Sequence, residues 1–102
     1  MSLKPDSLLP PEVSKAMRNE AVGKRLALLR RALEKRPAEM ADLLGIERTY
    51  WSRFEKGRQG LSDGVAALLV VRFGVTLDFI MLGRWDKLPV DLAEKMRALP
   101  PE

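Results

Sequence analysis

Between Pro37 and Gly57 the chain places two short helical segments around a turn of about three residues, and this punctuation constrains the fold more than any other feature. Pro37 cannot continue a preceding helix but can open a new one, because proline at the first helical position gives up only an amide that has no partner there. Pro37–Leu44 then carries acids in its first turns, where they suit the positive end of the helix dipole, and Gly45 ends it. A second helix is expected over residues 47–56, stopped by Gly57, with Trp51 and Phe54 three apart on one face. Gly45 stands where the chain leaves the first segment, a place that calls for positive φ, and Ala41 stands where a large side chain would force the two helices apart. Met40, Leu44, Ile46, Trp51 and Phe54 supply the apolar lock between them and the rest of a core.

The flanking sequence is helical as well. Val22, Leu26, Leu29 and Leu33 recur at helical spacing over 22–33, which turns one stripe inward and leaves Lys24, Arg25 and Arg31 outside. Downstream, Ser62 is placed to cap a helix through Val65, Leu68, Leu69 and Phe73 that Gly74 closes, and Thr76 to cap a shorter one with Leu77, Phe79, Ile80 and Leu82 that Gly83 closes. Residues 84–102 are a C-terminal extension of a different kind. Pro89 can start a further helix over 90–99, with Leu92, Met96 and Leu99 on one stripe, and Pro100-Pro101 stops it. Pro5, Pro10 and Pro11, with little apolar periodicity around them, make residues 1–19 an irregular N-terminal arm in which Pro11 is one more candidate helix start. No internal repeat and no β alternation interrupts this pattern, so the expectation is an all-α chain of one domain.

Charge narrows the function. The net charge is +4, but residues 1–20 hold three basic and three acidic side chains and residues 84–102 hold four of each. The middle carries the whole excess, eleven basic against seven acidic, and all but one of its cations fall before residue 60. A solvated surface mixes signs, whereas a face that meets a polyanion collects one, so both readings of this run stay open on charge alone. With no Cys and no His, disulfides, thiolate or imidazole metal ligands and an imidazole-supported nucleophile are all excluded. Asp42, Asp63 and Asp78 are spread singly over helices and nothing converges on a reacting group, so no enzyme, catalytic residue, metal or cofactor is expected. RNA binding is disfavoured too, since neither aromatics on a sheet nor a clamping glycine loop is present. No apolar stretch reaches the length that spans a bilayer and no basic segment followed by an apolar one opens the chain, which predicts a soluble, cytoplasmic protein without a membrane partner.

A three-residue turn with glycine between two such helices is the unit that lets a second helix project into the DNA major groove while the first braces it. The run RPAEMADLLGIERTYWSRFEKG resembles the helix-turn-helix of the phage-repressor and Cro family, the Xre-type regulators. The likeness covers roughly residues 20–83. It rests on the basic helix ending LLRRAL, the turn ADLLGI, the second helix YWSRFEKG and the closing GVTLDFIML. The resemblance implies a compact five-helix bundle, to which this chain adds the arm and a sixth helix. It implies sequence-specific binding of double-stranded DNA, with repression by occupation of an operator, and it implies a homodimer on a palindromic site.

By the same resemblance, Arg48, Thr49 and Arg53 match the positions that face base edges. Helical geometry agrees, since these three share the side of the helix opposite Trp51 and Phe54. Arginine can donate two hydrogen bonds to guanine, which makes G-containing half-sites the expectation, and Thr49 can meet a thymine methyl. For each arginine a phosphate contact or a solvated charge is the alternative. Phosphate contacts are expected at helix ends and flanks, from Arg36, Tyr50, Ser52, Lys56 and Arg58, with packing against the preceding helix the alternative for Tyr50. The family also pairs an arginine near the end of the first bundle helix with a glutamate near the end of the second helix of the motif, here Arg30 and Glu55, which the resemblance makes a structural ion pair. Two positions depart from the family. Pro37 replaces a glutamine whose side chain and amide hold a phosphate, and Glu47 replaces a Ser or Thr cap.

Phe79, Trp85, Leu88, Leu92, Met96 and Leu99 are the apolar residues expected to form a dimer contact, unless the sixth helix folds back on its own domain. A rival reading is an antitoxin-like or adaptor module in which that helix binds a protein partner and DNA contact is secondary.

Overall fold

A computed structural model describes residues 5–100, so the first four residues of the arm and Pro101 lie outside the described residues. Among the described residues there are seven α-helices and no strand: α1 (Pro11–Ala16), α2 (Asn19–Ala32), α3 (Pro37–Leu44), α4 (Arg48–Glu55), α5 (Asp63–Phe73), α6 (Leu77–Leu82) and α7 (Val90–Ala98), with one turn of 3-10 helix at Pro5–Leu8. The all-helical class is as the periodicity requires, and α2 to α6 form the five-helix unit.

Local chemistry sets the boundaries. Pro37 opens α3, and Gly45 ends it in the left-handed region at φ 67°, where the Gly45 amide donates to the Asp42 carbonyl and the Ile46 amide to the Ala41 carbonyl. This closing pattern satisfies carbonyls that the helix end would leave without donors, and it aims the chain straight into the N-terminus of α4. Ser62 and Thr76 cap α5 and α6 by accepting from the Val65 and Phe79 amides. Glu47 occupies the cap position of α4 without a side-chain cap bond, so it acts there only through its charge.

Helix α2 is the hub, packed against α1, α4, α6 and α7. Leu26 and Leu29 on α2, Met40 and Ala41 on α3, Trp51 on α4, Leu69 on α5 and Phe79 with Ile80 on α6 are fully buried. Gly23 permits the closest approach. A Cβ at this position would lie 2.5 Å from the backbone carbonyl oxygens of both Phe54 and Glu55, so the end of α4 rests directly on the backbone of α2.

Three placements differ from the periodicity. Arg25 does not stand outside. Its Nη1 donates to the carbonyls of Ala16 at 2.7 Å and Ile80 at 2.8 Å, and it ties α1 and α6 to α2 because both carbonyls sit near helix ends. Burial pulls its pKa down from the usual arginine value. The arm is not wholly irregular, since α1 packs on α2 and α6. The sixth helix of the sequence reading, α7, folds back on α2 and buries Leu92, Ala93 and Met96 there, with Leu88 sealed beside them. Trp85 packs edge-on against Phe79, with ring centroids 5.3 Å apart, and Leu99 is half-buried. The apolar surface of Phe79, Leu88, Leu92 and Met96 is thus used inside the protomer. This is the alternative in which the sixth helix folds back on its own domain.

Candidate nucleic-acid interface

Helix α4 is amphipathic to an extreme for its length. Trp51 and Phe54 are buried, whereas Arg48, Thr49, Tyr50, Arg53 and Lys56 are exposed and Ser52 is half-buried. The C-terminal half of the helix is held from below by a polar network. Glu55 accepts from Arg30 Nε at 2.7 Å and Nη2 at 3.1 Å, and from the indole Nε1 of the buried Trp51, while Arg30 Nη1 donates to the Lys35 carbonyl at 3.0 Å. The two charged side chains are only 16% and 13% exposed, and every polar atom among them has a partner. One carboxylate therefore fixes the pitch of α4 against α2 and the loop into α3, and the bidentate fork leaves little freedom of rotation.

On the outer face the three residues assigned to base edges differ in environment. Thr49 is exposed. Arg53 makes no ion pair among the described residues, and its guanidinium carbon lies 6.0 Å from the ring centroid of Tyr50, one turn earlier. Arg48 is engaged by the protein itself: its Nε donates to Asp42 Oδ1 at 3.3 Å and its Nη2 to Oδ2 at 3.0 Å. This pair is in water, with side chains 68% and 60% exposed. The hydrogen bonds from Arg48 hold the Asp42 carboxyl below the usual carboxylate range and raise Arg48 in turn.

The residues assigned to phosphates lie on α4 and at the ends of the motif helices. Lys56 and Arg58 are exposed beyond the end of α4, and Arg36 is exposed at the start of α3. Arg36 is paired with Glu39, whose Oε1 accepts from the Arg36 backbone amide at 3.0 Å and its Nε at 3.2 Å. These bonds, the backbone one first, keep Glu39 below its ordinary range. Tyr50 is 40% exposed, with the Arg53 guanidinium over its ring. Ser52 lies in a shallow depression with Lys24, Ala27, Pro37 and Lys56, floored by Glu55. Lys24 joins the face from α2, and periodicity along α2 alone gives no sign of it.

The indole bond of Trp51 is a second feature that sequence reasoning missed, although residues four apart on a helix are neighbours and could have suggested it. The Asp42 to Arg48 pair is a third, because it spans the turn. Among the described residues no group of three or more Asp and Glu side chains is placed to hold a metal ion, and no helix is long and apolar enough to cross a membrane. A family model described as a helix-turn-helix domain matches residues 21–78, from the start of α2 into α6. No curated protein matches the chain.

Proposed function

The chain belongs to the helix-turn-helix domain family, and on that footing we propose that it is a sequence-specific DNA-binding transcriptional regulator of the phage-repressor and Cro type. In this reading it represses by covering an operator, inserting α4 into the major groove without chemistry on the DNA. The observation that carries the reading is the division of α4. Its apolar side and Glu55 are locked into the core, while Arg48, Thr49 and Arg53 are left standing in solvent on a braced cylinder.

Arg48 and Arg53 are the guanine readers and Thr49 the thymine-methyl contact. Arg36, Tyr50, Ser52, Lys56 and Arg58 hold the strands beside the groove, and Lys24 extends that line from α2. Pro37 supplies no amide for a phosphate, so the start of α3 relies on the Arg36 guanidinium. The Asp42 pair does not bar base contact, because an exposed ion pair is weak in water and its geometry leaves guanidinium N–H groups unused. Two copies on a palindromic operator set their α4 helices one DNA turn apart, and a cytoplasmic, nucleoid-associated location follows from the same role. In this reading the subunit contact uses surface other than Leu88, Leu92 and Met96, which are buried within the protomer. The adaptor reading needed a free apolar stripe on α7, and that stripe is turned toward α2.

The test is binding-site selection from random duplexes with the full chain, followed by Arg48→Ala, Arg53→Ala and Lys56→Ala on the selected site. Each arginine variant is expected to relax preference at one position and lose about 5- to 150-fold in affinity there, whereas Lys56→Ala weakens all sequences alike. Failure to enrich any motif, or equal losses on selected and random DNA for all three variants, would overturn the assignment.

A further inference from the structure

We propose that Asp42 is a specificity-determining positioning residue, gripping one edge of the Arg48 guanidinium so that its opposite edge is presented to a guanine. The inference rests on the base-readout role of Arg48 argued above and concerns how that role is performed.

Arginine carries five N–H bonds in a planar fork. The two oxygens of Asp42 take the side formed by Nε and Nη2. That leaves both hydrogens of Nη1 and the second hydrogen of Nη2. The outward pair from Nη1 and Nη2 is parallel and matches the N7 and O6 acceptors of guanine as well as the occupied pair matches a carboxylate. Among the described residues no ion pair or hydrogen bond takes this outward edge, and both side chains stand largely in solvent.

The backbone keeps the two partners within reach of each other. Asp42 is in the last turn of α3, and its carbonyl accepts the Gly45 amide that starts the turn into α4. Arg48 is the first residue of α4. Ala41 and Leu44 on one helix and Trp51 on the other are buried in the shared core, so the turn and the core set the separation of the two backbones that carry the carboxylate and the guanidinium. Without the carboxylate, a guanidinium on a long rotatable stem must be ordered at the moment of binding, and that ordering subtracts from affinity for the correct base.

A different role for Asp42 gives the opposite result. If the carboxylate were only a nearby negative charge, its removal would strengthen binding to every sequence, because repulsion from the phosphates would fall. If it competed with DNA for Arg48, its removal would sharpen the preference for guanine. The positioning role alone predicts that discrimination weakens at one base pair.

The experiment compares the wild-type chain with Asp42→Asn and Arg48→Ala on the selected duplex and on a set with each base pair changed singly, with thermal unfolding measured alongside. Asp42→Asn is expected to unfold as the wild type does, since the side chain is exposed. It should lose most of the discrimination at the position that Arg48→Ala identifies, out of the about 5- to 150-fold a bidentate contact gives. Preferences elsewhere should stay, and affinity for random DNA should stay or rise. Asp42→Asn with undiminished or sharper preference at that position overturns the proposal and leaves base readout by Arg48 standing. Arg48→Ala with every preference unchanged shows that Arg48 reads no base, and both the readout role and the positioning role fall.

Discussion

Arg30→Ala tests whether the brace beneath α4 serves the fold or the contact with DNA. The substitution removes three hydrogen bonds, two to Glu55 and one to the Lys35 carbonyl. Breaking a fully buried ion pair from one side costs about 3–5 kcal/mol, because the charge left behind is desolvated and uncompensated. Here Glu55 remains 13% exposed and still accepts from the Trp51 indole, so the carboxylate is neither dry nor alone. Both facts move the expected cost to the lower end, about 3 kcal/mol. For a domain of about this length each kcal/mol lowers Tm by about 4–8 °C, which gives a fall of roughly 12–24 °C. Circular dichroism during heating reads this directly. Affinity for DNA, measured at a temperature low enough for the variant to be folded, is expected to be unchanged for the folded fraction. An unaltered Tm would refute the argument, and an unaltered Tm with lost affinity would move Arg30 from the brace to the interface.

Gly23→Ala gains about 1 kcal/mol of helix propensity but drives a Cβ into two immobile carbonyl oxygens, where overpacking costs about 1–3 kcal/mol or more, so a lower urea midpoint is expected and a higher one would contradict the close approach. Gly64→Ala is its control: a Cβ there meets nothing, and a gain of about 0.4–1 kcal/mol should appear in the same titration. Met96→Ala should lower stability by about 2–5 kcal/mol as a core truncation, with the concentration dependence of Tm left as in the wild type; a steeper concentration dependence in the variant would return Met96 to a subunit contact. Glu39 and Asp42 both have carboxyls depressed in the folded state. Their contribution is therefore complete at neutral pH and is lost as pH falls through the carboxylate range, and NMR titration should show the Asp42 carboxyl moving up in Arg48→Ala.

Much of the fold is written in single residues whose effect is local. Gly45 and Gly57 adopt the positive φ that helix ends call for, Ser62 and Thr76 cap the helices they precede, and the spacing of Trp51 and Phe54 turns one side of α4 inward. What escaped the pattern depends on partners distant along the chain. Helical periodicity puts Arg25 outside, and only the carbonyls of Ala16 and Ile80 draw it in. The stripe of Leu92 and Met96 is equally suited to a second copy or to α2, and the choice is made by Trp85 and Leu88 closing the corner before α7. Gly23 looks like a flaw in a helix until the end of α4 is laid across it. The candidate interface has the same division: the outward positions of α4 can be counted off a helical wheel, but the engagement of Arg48 by Asp42 cannot.

The fastening of α4 at its far end has a practical consequence. Gly23, Arg30 and Trp51 anchor Phe54 and Glu55, and none of these five residues lies at positions 48, 49 or 53. The scaffold and the proposed reading positions are thus separable parts. A library randomised at those three positions alone should return folded proteins at high frequency, each a ready chassis for a different target site.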